Sequence, residues 1–589
     1  MGPPFFWSKS VVSDRRARII VPVAELLIHQ LVLASAARNG DRPAYWQRTP
    51  DGFAPLTYAE LAVKIIALAR GLIKSGFKPQ TKVGIYAPDS PDWGITYMAI
   101  LAAGGVVVPL DQQSKYLELR SIINRAGIGM LFCDPSHYQD ILELELISSQ
   151  FPDVICIGNT DGEDSPMLTT AKLEAVGGDE SIILPEINPE SLAVLIYTSG
   201  TSSEAKGVML SHANIIADLE AVRPRLPMTE EDRFLSVLPL HHTLEATCGF
   251  IYPLSCGASI AYGQSLKSVD VLADIRALKI TVMIGVPLLF EKMCAGIHRQ
   301  VSKKALSTKL YVDLGQRIAG LSKWILDLSV GKVLFRALRE RVGLDSLRLF
   351  VSGGAAINPE VSRFFDNLGI VLLQGYGLSE TAPVLAVNSE RDNNYHSVGK
   401  PLEGVEVKIL DKNEAGIGEI AARGKMVMLG YYGNEDATRS VMQDGFFRTG
   451  DLGYVDSAGH LHITGRKKNV IITPAGKNIY PEEIEALLES SPFVSECAVL
   501  PRKRKTGEEP VAVVVPDFDA INAVYEGEKL SDEDIRTVMK AEVNSICEQL
   551  AEFKRIKDVI VMTEELPKTS TRKVKRHILI ENLKTLGQL

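Results

Sequence analysis

The sequence predicts an α/β fold: a large N-terminal body of stacked, mainly parallel sheets flanked by helices over residues 1–466, and a small α+β C-terminal domain over residues 467–589. Length is the first of three observations behind this. At 589 residues the chain exceeds one compact core, given roughly 100–200 residues per domain. The second is a set of short apolar runs at 82–87, 105–110, 192–197, 348–352 and 370–373. Helical stretches separate them, and several end abruptly in small polar or glycine turns (Gly353-Gly354, then Gly375-Tyr376-Gly377), as strands of parallel sheets covered on both faces do. The third is a change of texture after Gly465, with a boundary near residues 466–469.

In chain order, the turn residues 88–91 open a helix between the first two runs. Beyond the boundary, residues 481–489 form a short helix with proline in its first turn, and residues 494–500 and 510–515 form strands. Ser531-Asp-Glu-Asp534 is a capping box opening a helix to about Leu550, residues 559–562 form a further strand, and a basic tail follows.

Composition narrows the classes of function. Sixty-four basic against seventy-two acidic side chains leave a net charge of −8, which argues against a nucleic-acid binder. No run approaches eighteen unbroken apolar residues, so no helix is expected to span a bilayer. The first ten residues lack a signal-peptide core, and Phe6 stands where a myristoylation motif needs Ser or Thr. The seven cysteines form no CxxC pair and leave one over, so they read as buried thiols of a cytoplasmic protein. An aromatic cluster (Phe5, Phe6, Trp7) precedes Arg15, Arg16 and Arg18.

The most informative stretch is Tyr197-Thr-Ser-Gly-Thr-Ser-Ser-Glu-Ala-Lys-Gly-Val208. Five hydroxyl side chains, two glycines and Lys206 follow an apolar run within eleven residues. Such a loop can offer hydroxyls and backbone N–H groups to phosphate oxygens, with Lys206 as a point charge. It lacks GxxxxGK[ST] and is not a Walker loop; taken alone, it would be an ordinary flexible turn.

Taken with Gly375-Tyr-Gly-Leu-Ser-Glu-Thr381, Phe447-Arg-Thr-Gly-Asp451 and Gly465-Arg-Lys-Lys468, in that order, it resembles the adenylate-forming superfamily of acyl-CoA synthetases, peptide-synthetase adenylation domains and firefly luciferase. The resemblance extends over about residues 45–576 and implies ATP, Mg²⁺ and a thiol acceptor such as coenzyme A. Joining a carboxylate to the α-phosphate of ATP brings two anions together, so the site must supply positive charge and a metal. By this resemblance Glu380 and Thr201 hold Mg²⁺, and hard oxygen ligands suit that ion. Thr198, Ser199, Gly200, Ser202 and Lys206 belong to the phosphate loop. Tyr376 stacks on adenine, and Gly353, Gly354, Gln374, Gly375, Gly377 and Ser379 line the nucleotide. Asp451 accepts from both ribose hydroxyls, and Arg466 contacts ribose or phosphate. Lys573, in Leu566-Pro-Lys-Thr-Ser-Thr-Arg-Lys-Val-Lys-Arg576, falls on the catalytic lysine, with Lys568, Lys575 and Arg576 as nearby competitors.

The chain departs from the pattern at Arg572, where glycine is usual, at Ser203 and Ala205 in the phosphate loop, and at Ile472, where some relatives have a nucleotide-contacting lysine. The resemblance also makes the C-terminal domain mobile. Lys468 is its hinge, and the segment around Gly476 replaces Lys573 at the site when the thiol arrives. His242, in Leu238-Pro-Leu-His-His-Thr-Leu-Glu245, aligns with a histidine gating the acyl tunnel, and His241 replaces an aromatic.

A helical insertion at about 294–346 resembles the long-chain fatty acyl-CoA synthetases, so the expected substrate is a long-chain fatty acid. An acyl carrier protein in place of coenzyme A stays open as acceptor. In the insertion Leu310, Leu314, Ile318, Leu321, Ile325 and Leu328 recur as an amphipathic stripe. Residues 299–341 carry ten Lys/Arg against three Asp/Glu. Two readings stand together there: a helix pair packed on the body with a solvated basic face, and a peripheral surface that meets anionic lipid and admits a fatty acid.

Overall fold

Two sheets with parallel centres share one apolar core in the computed structural model, which describes residues 26–139, 141, 152–158, 168–198, 205–302, 306–326, 330–474, 477–504, 507–525, 530–569 and 573–589. The seven-stranded sheet runs in the order Gly430–Tyr431, Lys206–Ser211, Leu192–Thr198, Val106–Pro109, Lys82–Tyr86, Met130–Cys133, Asp153–Cys156. Its last five strands are parallel. The nine-stranded sheet has six parallel strands at its centre, from Val371–Gly377 through Leu349–Ser352 to Pro43–Thr49, and antiparallel strands at both edges.

The layer between them explains the pattern of residues 88–110. Ser90 caps the helix Pro91–Ala102 by accepting from Trp93 N–H at 3.2 Å, and proline fits its first turn. Tyr97, Met98, Ile100 and Leu101 then join Val83 and Val107 of one sheet and Tyr45, Phe234 and Ile260 of the other in one cluster. A helix with a sheet on each side has no polar face, and from Trp93 to Ala102 every residue is buried.

A third, antiparallel sheet closes the body and pairs Phe446–Val455 with Leu461–Arg466, setting Asp451 opposite Arg466. From residue 471 onward the chain builds two apolar clusters of its own on Val494–Arg504, Gly507–Pro516 and Asp558–Val561. The expected capping box is present: Ser531 and Asp534 satisfy each other's backbone N–H at the start of helix Asp532–Cys547. All seven cysteines are free, six of them buried. Among the described residues no helix is long and apolar enough to cross a membrane. The aromatic and arginine cluster at residues 5–18 lies outside the described residues.

Two elements differ from the sequence expectation. The strand that was to end before Gly375-Tyr376-Gly377 continues through Gly377, because this segment pairs with Val384–Val387. The glycine serves close approach there: a Cβ on Gly377 would stand 1.8 Å from the Pro383 carbonyl oxygen.

The second difference is the insertion. Helix Leu306–Leu326 packs inward through Val312, Gly315 and Ala319, while Leu314, Ile318 and Leu321 of the stripe face solvent. The inner side is crowded: Phe335 lies against Gly315, the Gln316 amide donates to the Phe364 carbonyl at 3.4 Å, and Lys323 pairs with Asp366. Small residues admit that approach and leucines would not. Leu328 and the side chains of Leu310 and Ile325 lie outside the described residues.

Gly377→Ala is expected to destabilise the body by ~1–3 kcal/mol or more, read as a lowered denaturant midpoint with unchanged slope.

Candidate active site

The strand Leu192–Thr198 and its return Lys206–Ser211 form a hairpin in which Thr198 opposes Lys206, so both stand at the mouth of the hydroxyl-rich loop. Ser199, Gly200, Thr201 and Ser202 of that loop lie outside the described residues, as do Ser203, Gly476 and Arg572. The short strand Gly430–Tyr431 adds to the outer edge of this hairpin, Tyr431 opposite Val208. Lys206 Nζ lies 4.8 Å from the centre of the Tyr431 ring, and the Tyr431 hydroxyl donates to Glu380 Oε1 at 2.9 Å. Burial pushes the Tyr431 phenol far up, and the Glu380 charge pushes it further. Tyr431 therefore stays a hydrogen-bond donor and fixes one carboxylate oxygen of Glu380. Glu380 sits in a single turn, Ser379–Thr381, just after the strand that carries Gln374, Gly375, Tyr376 and Gly377, and its carbonyl accepts from Met428 N–H at 2.9 Å.

Asp451 gathers the second group. Its Oδ2 accepts from the Tyr376 hydroxyl at 2.7 Å, and its Oδ1 lies 2.8 Å from Arg466 Nε. Burial raises the Asp451 carboxyl, with Arg466, the Tyr376 hydroxyl and Lys573 pulling against it. Gly353 and Gly354 end the strand Leu349–Ser352, and Lys573 reaches them from the C-terminal domain: its Cε lies 3.9 Å from where a Cβ on Gly354 would stand.

Burial and the Arg466 charge lower the Lys573 ammonium, and Asp451 partly restores it. Lys468 is lowered to about 8 by burial and Arg466. Both lysines keep an exposed face while protein surrounds the rest of each, so they stand in an open cleft rather than a core. Two of the three competitors for the lysine position are committed elsewhere: Lys568 pairs with Glu496, and Arg576 binds Glu485 Oε1 at 2.7 Å and the Val499 carbonyl at 2.8 Å.

His241 and His242 line the same cleft, their rings 4.2 Å apart. Burial lowers His242 to about 3, helped by His241 and Lys573, so it is neutral at ordinary pH. Behind them Asp89 accepts from Leu240 N–H at 3.0 Å and is pushed up to about 7 by burial, and buried Glu245 is raised well above the usual range. Burial thus favours the uncharged forms of His242 and Glu245 on this side, while Asp111 stands 3.6 Å from His241 Nε2. Leu244 closes over Gly353, where a Cβ would stand 2.8 Å from it.

A cavity of about 370 Å³ separates Glu380 from the strand bearing Asp451, lined by Glu380, Glu419, Tyr431, Arg448, Thr449 and Lys467. Sequence reasoning missed Tyr431 and Glu419. The Gly430-Tyr-Tyr432 turn after an apolar run was the available signal for the first, and nothing local marked the second.

This body and its C-terminal domain match known families in succession: AMP-binding enzyme over residues 32–432 and AMP-binding enzyme C-terminal domain over residues 483–573. The fold and site define an adenylate-forming acid–thiol ligase, and the chain belongs to the AMP-binding enzyme family. It is 31% identical over 476 residues to the long-chain-fatty-acid–CoA ligase FadD15 of Mycobacterium bovis, covering 78% of each chain. It is 26% identical to the long-chain-fatty-acid–[acyl-carrier-protein] ligase AEE15 of Arabidopsis thaliana, covering 83% of this chain and 76% of that one. Among solved structures it is similar to ATP-bound MatB from Rhodopseudomonas palustris, with a TM-score of 0.73, 26% identity and coverage of 95% and 100%. The fold also matches the anthranilate CoA ligase AuaEII, with a TM-score of 0.76 at 22% identity and coverage of 97% and 99%.

Tyr431→Phe is expected to raise the Mg²⁺ concentration needed for half-maximal pyrophosphate release by about tenfold, as loss of a group orienting a ligand does. With Lys573 as the expected catalytic cation, the alkaline limb of kcat/KM for that release should fall below the ordinary lysine range, because its charge is lost as pH rises through its lowered pKa. A Lys573→Arg variant with an unshifted limb would assign that limb to another group.

Proposed function

We propose that the chain is a long-chain fatty acid–CoA ligase that works through an acyl-adenylate. The observation that carries this is the meeting of Lys573 with Asp451, Arg466 and His242 in one cleft between the body and the C-terminal domain. The relatives' names support the long-chain acid. We place the protein in the cytoplasm, in keeping with its seven free thiols.

In the first half-reaction a fatty-acid carboxylate oxygen attacks the α-phosphorus of ATP. The bond to the bridging oxygen of the β-phosphate breaks, and pyrophosphate leaves with that electron pair. Lys573 neutralises charge gathering on the carboxylate and α-phosphate. The phosphate loop, from Thr198 through Thr201 to Lys206, holds the departing phosphates. Asp451 accepts from the ribose hydroxyls, Arg466 flanks the ribose, and Tyr376 presents its ring to the adenine while its hydroxyl stays on Asp451. Gly353, Gly354, Gln374, Gly375, Gly377 and Ser379 line the nucleotide. Neutral His242 gates the acyl chain without adding charge.

Glu380, a hard carboxylate whose Oε1 is held by the Tyr431 hydroxyl, fits Mg²⁺, which binds through one or two protein oxygens plus substrate phosphates and water; by the family resemblance Thr201 would add a hydroxyl. Bound there, it would screen the phosphate charge. In the second half-reaction the C-terminal domain turns about Lys468, Lys573 withdraws, and the segment around Gly476 takes its place. The thiol sulfur then attacks the acyl carbon, loses its proton, and AMP leaves.

A second reading keeps the first half-reaction and gives the acyl group to the phosphopantetheine of an acyl carrier protein, as the name of AEE15 suggests. Pyrophosphate release across acids from acetate to oleate, with coenzyme A and with a carrier protein, decides. Sustained turnover rising from about C12 upward with coenzyme A is expected. Release that stops after one turnover with coenzyme A but continues with the carrier would favour the second reading. Release confined to short acids would overturn the long-chain assignment.

A further inference from the structure

Helix Leu306–Leu326 turns an apolar stripe outward. Leu314, Ile318 and Leu321 fall on one side at steps of four and three and are 55%, 47% and 55% exposed. The opposite side, Val312, Gly315 and Ala319, makes the packing contacts. The stripe is therefore not a core face left partly uncovered, because the helix already has a packed face made for that purpose. The neighbouring short helix Gly331–Leu334 carries a further exposed apolar residue, Val333, 81% exposed.

The charge around the stripe is mainly positive, with Asp313 and Glu340 as the exposed acids and Glu340 paired with Arg336. Residues 299–341 carry ten Lys/Arg and three Asp/Glu, in a chain whose net charge is −8. Arg317 lies on the exposed side between Leu314 and Leu321, and Arg299, Lys332, Arg336 and Arg341 are also exposed. Arg339, by contrast, is buried and satisfied by backbone carbonyls, so it belongs to the fold rather than the surface. An apolar stripe flanked by cations is the arrangement of a helix lying in the plane of a bilayer, leucines at the acyl boundary and guanidinium groups at the phosphates. A second copy fits worse, since a two-fold contact through this face would bring two basic surfaces together.

We infer that the outer face of helix Leu306–Leu326, with its flanking cations, docks this protein peripherally on an anionic phospholipid surface. The helix lies on the bilayer and does not cross it, consistent with the absence of a spanning helix among the described residues. For an enzyme acting on membrane-soluble acids, this would hold the cleft near its substrate. The docking does not depend on the chemistry proposed above, and its test contains no turnover.

The test is co-sedimentation of the full chain with phosphatidylcholine vesicles, with and without phosphatidylglycerol. Two triple variants accompany the parent: Leu314→Glu/Ile318→Glu/Leu321→Glu and Arg317→Glu/Lys332→Glu/Arg336→Glu, with thermal unfolding to check that each remains folded. The parent should bind the anionic vesicles at low salt and lose them at high salt. Each triple variant should bind at least about tenfold more weakly, as loss of several contacts of this kind implies. Equal sedimentation of the parent and both folded variants, or none by the parent, would overturn the inference. So would a stripe variant that abolishes a self-associated form in light scattering while leaving vesicle binding unchanged, since a second copy would then cover the stripe.

Discussion

A carboxylate as buried as Asp451 is costly unless other groups satisfy it, and the groups that do so come from three parts of the chain. Tyr376 arrives on the nine-stranded sheet, Arg466 on the antiparallel strand opposite, and Lys573 from the C-terminal domain. Tyr376 and Arg466 bind it directly and Lys573 acts on it at longer range, and each belongs to a different unit, so the carboxylate marks where the units meet. Burial and then the Arg466 charge depress Lys573 in the same cleft, and Asp451 pulls the other way. Phosphate and carboxylate entering that cleft would supply the missing negative charge, so the site is most comfortable when substrates are in it.

The ion pairs around residue 468 give the proposed rotation a physical pivot. On the body side Lys467 donates to Glu419 Oε2 at 2.8 Å, and Arg448 shares the same carboxylate. Burial acts to raise Glu419, but the two cations outweigh it and hold it below the ordinary range. On the domain side Asn469 donates to Glu482 Oε1 at 2.6 Å. Lys468 therefore stands between two anchored neighbours, where a change of φ and ψ at one residue can swing a whole domain. Glu482 also lies over Gly465, where a Cβ would be 2.6 Å from Glu482 Oε2, so the side chain that anchors the domain also contacts the body in this pose.

What the sequence made legible was local. The strand 192–198, the turn at Gly353-Gly354 and the Ser531 cap each depend on residues within a few positions, and their patterns translated directly into structure. The motif order also located Asp451 and Lys573, which the fold brings into one cleft across more than a hundred residues. What stayed hidden depends on distant partners. Tyr431 reaches Glu380 only because a two-residue strand joins the hairpin at Val208, and no local pattern foretells that. The stripe at Leu314, Ile318 and Leu321 was visible, but its direction was not. The direction follows from the neighbours beneath the helix, where Phe335 presses on Gly315 and the Phe364 carbonyl takes the Gln316 amide. Gly377 taught the same lesson: a glycine that reads as a turn was a strand residue pressed against a neighbouring backbone.

The central claim is that Lys573 serves the adenylation half of the reaction and withdraws for the other half. Lys573→Ala tests it when the two halves are timed separately, acyl-adenylate formation from acid and ATP, and thioester formation from supplied acyl-adenylate. The account predicts that the first falls by roughly 100-fold or more while the second stays within about threefold of the parent. Equal loss in both halves, or full adenylation without the lysine, would contradict it.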